Sequence, residues 1–169
     1  LSIFHSHTCE FGGEDDKALR KMTQEVMKAF GMVFSASHTE FIKSHSTGEF
    51  HFLETSSRVG GAHLAEMVEA SSGISLWREW AKLEIAQFEG TIYKLPKVKK
   101  EYAGIVVSLI RDYQADYSSF NDEEIVWTME KDYHIGMIIT NKKRQRILDL
   151  LDNYAERIFK DFHASAPSA

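Results

Sequence analysis

His38-Thr39-Glu40-Phe41 and Phe50-His51-Phe52-Leu53-Glu54-Thr55-Ser56-Ser57-Arg58-Val59-Gly60-Gly61 are the two stretches of sequence that determine the fold. Side chains in a β-strand alternate between the two faces of the sheet. Each stretch would therefore present one partly polar face: His38, Glu40 and Ile42 in the first strand, and Phe52, Glu54, Ser56 and Arg58 in the second. Together the two stretches predict a β-hairpin.

The segment Ser46-Thr47-Gly48 predicts a three-residue hairpin loop in which Gly48 has a left-handed conformation. Pairing outward from Thr47 then places Glu40 opposite Glu54. A bulge at Gly48 would shift that register by one residue. Because like charges directly opposite each other destabilise a ladder, the two glutamates predict a cation between them.

Magnesium is the cation that this arrangement favours, since it takes one or two carboxylates together with substrate phosphates and water. Ser56 would add a hydroxyl ligand. Arg58 would bind a phosphate or a carboxylate through two hydrogen bonds. The alternative is an ordinary amphipathic hairpin whose charged face is solvated.

A longer set of motifs resembles the C-terminal lobe of ATP-grasp ligases. The motifs are Glu40-Phe41, Leu53-Glu54-Thr55-Ser56-Ser57-Arg58-Val59-Gly60-Gly61-Ala62-His63, Glu66, and Ser72-Gly73-Ile74-Ser75-Leu76. In that family, a glutamate on one strand and a Glu-x-Asn-Pro-Arg run on the next strand hold magnesium and the ATP phosphates. A helix that ends near a Thr-Gly or Ser-Gly pair follows.

The resemblance implies a role for each matching residue. Glu40 and Glu54 correspond to the glutamates that bind the metal and its nucleotide, and Ser56 corresponds to the asparagine ligand. Arg58 corresponds to the catalytic arginine that contacts the transferred phosphate or the substrate. Substrate binding is expected in the segment that follows, at Gly60, Gly61 and His63. Two departures from the family pattern are Ser56 in place of asparagine and Ser57 in place of proline.

The activity that the resemblance implies is that of an ATP-dependent carboxylate-amine ligase. Such an enzyme forms a C–N bond through an acyl phosphate, and it uses ATP with Mg²⁺ or, alternatively, Mn²⁺. Its partners would be a small carboxylate and an amine acceptor. Two alternatives stay open, namely a non-catalytic nucleotide- or partner-binding module, which Ser56 and Ser57 favour, and a biotin-carboxylase-like subunit.

The number of residues before Glu40 is too small for the ATP-grasp lobe that carries the phosphate-binding lysines. The sequence is therefore expected to be a fragment that is inactive alone and needs N-terminal lobes of the same protein. A homodimer remains an open alternative.

Composition limits the class of protein. With 169 residues, 43% of them hydrophobic and 27% charged, the chain is long enough for a core and has the make-up of a soluble globular protein. A net charge of −5 disfavours nucleic-acid binding, and no apolar run approaches the length of a membrane span. The single cysteine, Cys9, cannot form an internal disulfide, which predicts a cytoplasmic protein.

The overall pattern predicts an α/β (α+β) protein with an antiparallel sheet and flanking helices, followed by a small strand-rich subdomain with a C-terminal helix. A basic stretch that contains the first proline, Tyr93 to Lys100, suggests a boundary. Residues 1–92 would be the ATP-grasp lobe and residues 93–169 the subdomain. Helices are predicted at about 14–30, 62–70, 75–90 and from 141 onward, and further strands at 1–9, 103–110, 125–129 and 133–140. The segment 164–169 is expected to fray.

Several other residue groups have both a functional and a structural interpretation. His5, His7 and Cys9 alternate and suggest a soft-metal site, although they lack a second ligand pair. His38 could contact a phosphate, but a hydrogen-bonded structural histidine is the favoured interpretation. His63 begins a helix, where backbone N–H groups could bind a substrate carboxylate or simply start the helix.

A basic cluster at the start of the last helix is expected either to contact an anion or to be solvated: Lys142, Lys143, Arg144 and Arg146. Trp77 and Trp80 are expected to pack in the core or between subdomains, because nothing nearby suggests an aromatic ligand cage.

Overall fold

A computed structural model describes residues 3–162 of the chain. In chain order, its elements are β1 (Phe4–His7), α1 (Glu14–Ala29), β2 (His38–Lys43), β3 (Phe50–Ser56), α2 (Leu64–Ser72), α3 (Leu76–Glu89), β4 (Tyr102–Leu109), β5 (Ile125–Thr128), β6 (His134–Asn141) and α4 (Arg144–Asp161). The predicted class, a mixed α/β protein with antiparallel sheets and flanking helices, is confirmed. The fraying predicted for residues 164–169 lies outside the described residues.

The chain forms two compact units. Within the described residues, the first unit consists of residues 3–8, 66–73 and 98–162, and the second of Cys9–Ala65 and Ile74–Lys97. Each unit is assembled from segments that are separate in sequence. The assignment of residues 1–92 and 93–169 to two domains stays a prediction.

The first unit is built on a four-stranded antiparallel sheet with the order β1-β4-β6-β5. The two central strands pair along their whole length, from Tyr102 opposite Asn141 to Leu109 opposite His134. Their β-branched residues fit a pleated surface that is covered by other side chains. Five consecutive residues of β6, from Ile135 to Ile139, are accordingly buried.

Helix α4 supplies the other half of this core. Its apolar stripe is buried as the helical spacing predicts: Ile147, Leu151, Tyr154 and Ile158. The helix begins at Arg144 rather than near the predicted Asn141, because Asn141 is the last residue of β6. The Asn141 side-chain oxygen instead accepts a hydrogen bond from the Lys143 backbone N–H at 2.8 Å.

Gly104 of β4 lies directly against side chains of α4. A Cβ atom at this position would be 2.8 Å from Ile147 Cγ2 and 2.8 Å from Leu151 Cδ1. Real Cβ atoms do not make contacts this short, so with any larger residue these side chains or the helix that carries them must shift. The absence of a side chain at Gly104 is therefore a packing requirement.

The loop between β4 and β5 is attached to α4 by a polar network. Arg146 donates from Nε to Glu124 Oε1 at 2.7 Å and from Nη2 to Asp122 Oδ1 at 2.9 Å. The Tyr154 hydroxyl donates to Asp122 Oδ2 at 2.6 Å. The anionic contact expected of the basic cluster thus exists for Arg146, and the chain's own acidic residues provide it.

The same network shifts two ionisation equilibria. The hydrogen bond from Arg146 holds the pKa of Glu124 below its usual value of 4.5, against the opposing effect of burial. Burial is the main reason that the pKa of Tyr154 is raised, and its bond to Asp122 adds to the effect. Glu124 is only 7% exposed, so its charge is well shielded from solvent by the fold.

The second unit contains the predicted hairpin, and β2 pairs with β3 in antiparallel register. Glu40 lies opposite Glu54 as predicted. The irregularity in this ladder, however, is at Leu53 and not at Gly48, because Glu40 pairs with Glu54 while Phe41 pairs with Phe52. This bulge reverses the alternation of side chains, so the prediction that Phe52 shares a face with Glu54 is wrong.

The hairpin loop is longer than the predicted three residues. The strands end at Lys43 and resume at Phe50, and the Ser44 N–H donates to the Glu49 carbonyl at 2.8 Å. Gly48 has the predicted left-handed conformation, with φ of 74°. Its N–H donates to the Ser44 carbonyl at 2.9 Å, and this bond closes a wider turn than expected.

Helix α3 follows the predicted bounds, with Gly90 in a left-handed conformation at its end. Of the two positions expected for Trp77, the one in the core is wrong, because 55% of this residue is exposed. Its ring lies 6.1 Å from that of Trp80 on the helix surface. The buried residue of α3 is instead Glu79, which accepts hydrogen bonds from Lys82 and Tyr93.

Within residues 3–162, no helix has the length and apolar character needed to cross a membrane.

Replacement of Gly104 by alanine is predicted to destabilise the first unit by about 1–3 kcal/mol, because the added methyl overlaps the side chains of α4. Urea unfolding of the 169-residue chain measures the change. Gly61→Ala is the control, since a Cβ there meets no described atom within 4 Å. Equal stability of the two variants would contradict the packing requirement at Gly104.

Glu124→Gln is predicted to lower the melting temperature at pH 7, and the loss should shrink as the pH falls. The folded state holds the pKa of Glu124 below 4.5, so the stabilisation is complete above pH 4.5 and disappears as the pH drops through the lower folded value. Thermal unfolding of both proteins between pH 7 and pH 3 checks this dependence. Glu123→Gln, at an exposed neighbour, is the matched control.

Candidate functional site

Four polar side chains share one face of the hairpin. Glu40 is the ladder partner of Glu54, and His38 is the partner of Ser56. Directly opposite residues project to the same face, and so do residues two apart in a regular strand. His38, Glu40, Glu54 and Ser56 therefore form one cluster, called the carboxylate patch below.

The pairing that creates this patch is fixed on the opposite face of the hairpin. The hydroxyl groups of Thr39 and Thr55 are hydrogen-bonded at 2.8 Å. Beyond the bulge, the rings of Phe41 and Phe52 meet edge to face, with their centroids 6.0 Å apart. These contacts favour the register that brings the two carboxylates together.

His38 is bonded to one of the two carboxylates. Its Nε2 lies 3.0 Å from Glu40 Oε1, and a carboxylate can only accept, so the imidazole N–H donates. The interpretation of His38 as a hydrogen-bonded structural residue is thereby confirmed. The side chain of His38 is 26% exposed and that of Glu40 is 44% exposed, so this end of the patch is accessible to a ligand.

Gly60 packs against the other side of the same imidazole. A Cβ atom built on Gly60 would lie 2.8 Å from His38 Nδ1 and 3.3 Å from Cε1. Gly60 itself is buried, next to Val59, which is 2% exposed. The backbone at Gly60 thus packs directly against the His38 ring, and only glycine leaves room for the ring.

Arg58 lies past the end of β3, which stops at Ser56. The expected continuation of the strand face as far as Arg58 is therefore wrong. The Arg58 Nη1 group donates to the Val59 carbonyl at 3.0 Å, and the residue as a whole is exposed. Since that bond is local, the guanidinium retains further donors for a ligand.

The segment after Gly60 makes a constrained turn into α2. Ala62 and His63 both have positive φ, at 52° and 60°, which is unfavourable for residues with a Cβ. The Leu64 N–H donates to the Gly61 carbonyl at 3.0 Å. The helix therefore begins at Leu64 instead of the predicted Ala62, and His63 lies just before its first turn.

No group of three or more histidine, cysteine, aspartate or glutamate side chains suited to a metal occurs between residues 3 and 162. The soft-metal alternative at His5, His7 and Cys9 has no support from the fold, since β1 ends at His7. A magnesium site of the predicted kind does not need such a group. It needs one or two carboxylates, and phosphates and water supply the remaining ligands.

The contact between His38 and Gly60 is the feature of this site that the sequence pattern did not predict. A histidine two residues before Glu40 on the same strand was an available signal for the bond between them. No local pattern could place Gly60 behind the ring, because that contact depends on how the chain turns after Arg58.

Several solved structures are similar to this chain. No family model matches the sequence, and no curated protein matches it. Phosphoribosylglycinamide synthetase from Anaerococcus prevotii is 18% identical, with a TM-score of 0.58 and 94% of this chain covered. L-amino acid ligase from Bacillus licheniformis is 12% identical, with a TM-score of 0.68 and 99% of this chain covered.

Both of these proteins are ATP-grasp enzymes. The predicted resemblance to ATP-grasp ligases is therefore confirmed at the level of the fold. The chain spans 44% of the length of each of the two solved chains.

Proposed function

We propose that this chain supplies the magnesium-binding side of the nucleotide site in an ATP-dependent carboxylate-amine ligase. The observation that supports this most strongly is the carboxylate patch, in which Glu40 and Glu54 are direct ladder partners within an ATP-grasp fold. Two like charges at this position cost stability unless a cation binds between them. A site that binds a cation can recover this cost.

The residues of the patch fit a magnesium ion. Glu40 and Glu54 offer hard oxygen ligands, and the Ser56 hydroxyl is on the same face. The bond from His38 occupies one oxygen of Glu40 and leaves the second oxygen for a metal. When bound, the ion would neutralise the negative charge of the ATP phosphates. In this proposal Mn²⁺ can take the place of Mg²⁺.

Arg58 is the proposed catalytic residue. In the proposed reaction, a carboxylate oxygen of the substrate attacks the γ-phosphorus of ATP, the bond to ADP breaks, and an acyl phosphate forms. An amine then attacks the acyl carbon, phosphate leaves, and the nitrogen loses a proton. The Arg58 guanidinium would stabilise the charge on the transferring phosphoryl group, because it is permanently positive and retains donors beyond its bond to Val59.

The turn at Gly60, Gly61 and His63 is the proposed contact with the substrate. Successive positive φ values at Ala62 and His63 cost about 1–3 kcal/mol each, and such strain is concentrated at binding and active sites. Gly61 is exposed, and no described atom lies within 4 Å of a Cβ built there. A substrate group can therefore approach the backbone closely at this point.

Other parts of the same polypeptide are proposed to complete the nucleotide site, which makes this chain a fragment that is inactive alone. The chain spans 44% of each similar solved structure. The second unit also exposes large apolar side chains, including Phe30 (64%), Val33 (78%), Phe88 (93%) and Ile92 (86%). Exposed apolar side chains of this size fit a surface that further protein covers. A cytoplasmic location, suggested by the single cysteine, is part of the proposal.

The second candidate function is a binding module that keeps the fold and has lost turnover. Ser56 in the place of asparagine and Ser57 in the place of proline favour it, because they alter the third ligand and the turn after it. Such a module would bind ATP without releasing ADP. A biotin-carboxylase-like subunit would share the two glutamates and differ in using bicarbonate.

Glu54→Gln, made in the full-length polypeptide that contains these residues, is predicted to abolish magnesium-dependent ADP release with a carboxylate substrate. The substitution removes one of the two charges that hold the ion and keeps the side-chain size. A coupled assay for ADP, run over a panel of carboxylates and amines with magnesium varied, measures the effect. A loss of about 100-fold or more in turnover is expected from removal of a metal-binding carboxylate at a site of phosphoryl transfer.

Glu49→Gln is the matched control, because Glu49 lies in the loop of the same hairpin and outside the carboxylate patch. It should retain wild-type turnover. If the wild-type protein binds ATP but releases no ADP with any pair of substrates, the binding module replaces the ligase as the better account.

A further inference from the structure

We propose that His38 is a positioning residue, which orients the carboxylate of Glu40 for the cation and is itself held in place by the backbone of Gly60. This inference rests on the proposed function, in that it assigns a role to a neighbour of the proposed metal ligand. Three observations support it: the hydrogen bond from His38 to Glu40, the close contact between His38 and Gly60, and the location of His38 and Glu40 on one face of the hairpin.

The hydrogen bond restricts how the carboxylate can turn. The Glu40 side chain is 44% exposed, so packing alone does not fix its rotamer. The bond from His38 Nε2 to Oε1, at 3.0 Å, ties one oxygen and directs the other. A metal ligand that is already oriented loses less conformational freedom when the ion binds, which raises the affinity.

The backbone of Gly60 restricts how the His38 imidazole can turn. A Cβ at Gly60 would lie 2.8, 3.3 and 3.4 Å from three atoms of the His38 ring. The ring is thus confined between the buried backbone at Gly60 on its Nδ1 side and the Glu40 carboxylate on its Nε2 side. Any side chain at Gly60 must displace the ring, which would break or weaken the bond to Glu40.

This arrangement gives Gly60 a second role. In the proposed ligase it belongs to the substrate turn, and its lack of a side chain also allows His38 to reach Glu40. A change at Gly60 should therefore affect the cation even though Gly60 contributes no ligand atom.

The test is the affinity of the 169-residue chain for Mn²⁺ alone, measured by the electron paramagnetic resonance signal of the free ion. His38→Ala and Gly60→Ala should each weaken binding by about tenfold, the lower end of the effect of removing a group that orients a metal ligand. In the double variant, the Gly60 substitution should cause no additional loss, because the ring that it displaces is absent. His38→Gln, which retains an N–H donor, should recover part of the affinity.

A second measurement needs no metal. The ¹³C resonance of the Glu40 side-chain carboxylate should shift in His38→Ala and in Gly60→Ala. It should stay at its wild-type position in Gly61→Ala, where a Cβ meets no described atom within 4 Å. Far-ultraviolet circular dichroism verifies that each variant is folded.

The outcomes separate this inference from the proposed function. If the wild-type chain binds Mn²⁺, Glu54→Gln loses binding and His38→Ala binds normally, the positioning role is overturned and the magnesium site is retained. Additive losses in the double variant also overturn it, since Gly60 would then act independently of His38. If the wild-type chain binds no Mn²⁺, the carboxylate patch does not bind a cation by itself and the proposed function loses its main support, whereas an unshifted Glu40 resonance in both variants would overturn the coupling between Gly60, His38 and Glu40.

Discussion

The opposition of two carboxylates across a β-ladder is the constraint on which the rest of the site depends. Glu40 and Glu54 are direct partners in the hairpin, and like charges directly opposite each other destabilise the pairing of the two strands. The register is nevertheless favoured by the hydroxyl pair of Thr39 and Thr55 and by the aromatic pair beyond the bulge. Contacts on one face of the hairpin thus stabilise the register that places the two carboxylates opposite each other on the other face.

The residues around the two carboxylates restrict how the side chains can turn. His38 orients one carboxylate, and the backbone at Gly60 holds His38 in turn. The segment then turns sharply through two residues with positive φ before α2 begins. The charged groups of the first unit are used differently. Arg146 donates hydrogen bonds to Asp122 and Glu124, and these bonds attach the loop between β4 and β5 to α4.

Much of the fold could be predicted because it depends on local periodicity. The alternation in β2 and β3, and the apolar stripe of α4, specify the element and its buried face before any tertiary contact is known. The pairing of Glu40 with Glu54 is predicted correctly because two errors cancel. The loop is wider than expected, so the pairs next to it are shifted by one residue from the predicted register. The bulge at Leu53 removes this shift, and Glu40 pairs with Glu54 as predicted.

The features that could not be predicted depend on contacts between residues that are distant in sequence. The ladder pattern gives no information on what lies behind His38, and only the path of the chain after Arg58 brings Gly60 there. The lack of a nearby ligand cage predicts Trp77 in the core or between subdomains, but Trp77 is exposed and the buried residue of α3 is Glu79, which accepts hydrogen bonds from Lys82 and Tyr93. Neither result follows from the residues that surround each position in the sequence.

Amide hydrogen exchange in β2 and β3, with and without Mg²⁺, tests the central claim most directly, because it measures the local stability of the hairpin. If the two carboxylates repel each other until a cation binds, Mg²⁺ should slow exchange in the wild-type hairpin. Glu54→Gln should exchange about two- to fivefold more slowly than wild type without Mg²⁺ and should not respond to the ion. Equal exchange in both proteins, unchanged by Mg²⁺, would show that the carboxylate pair is an ordinary solvated face and would contradict the account.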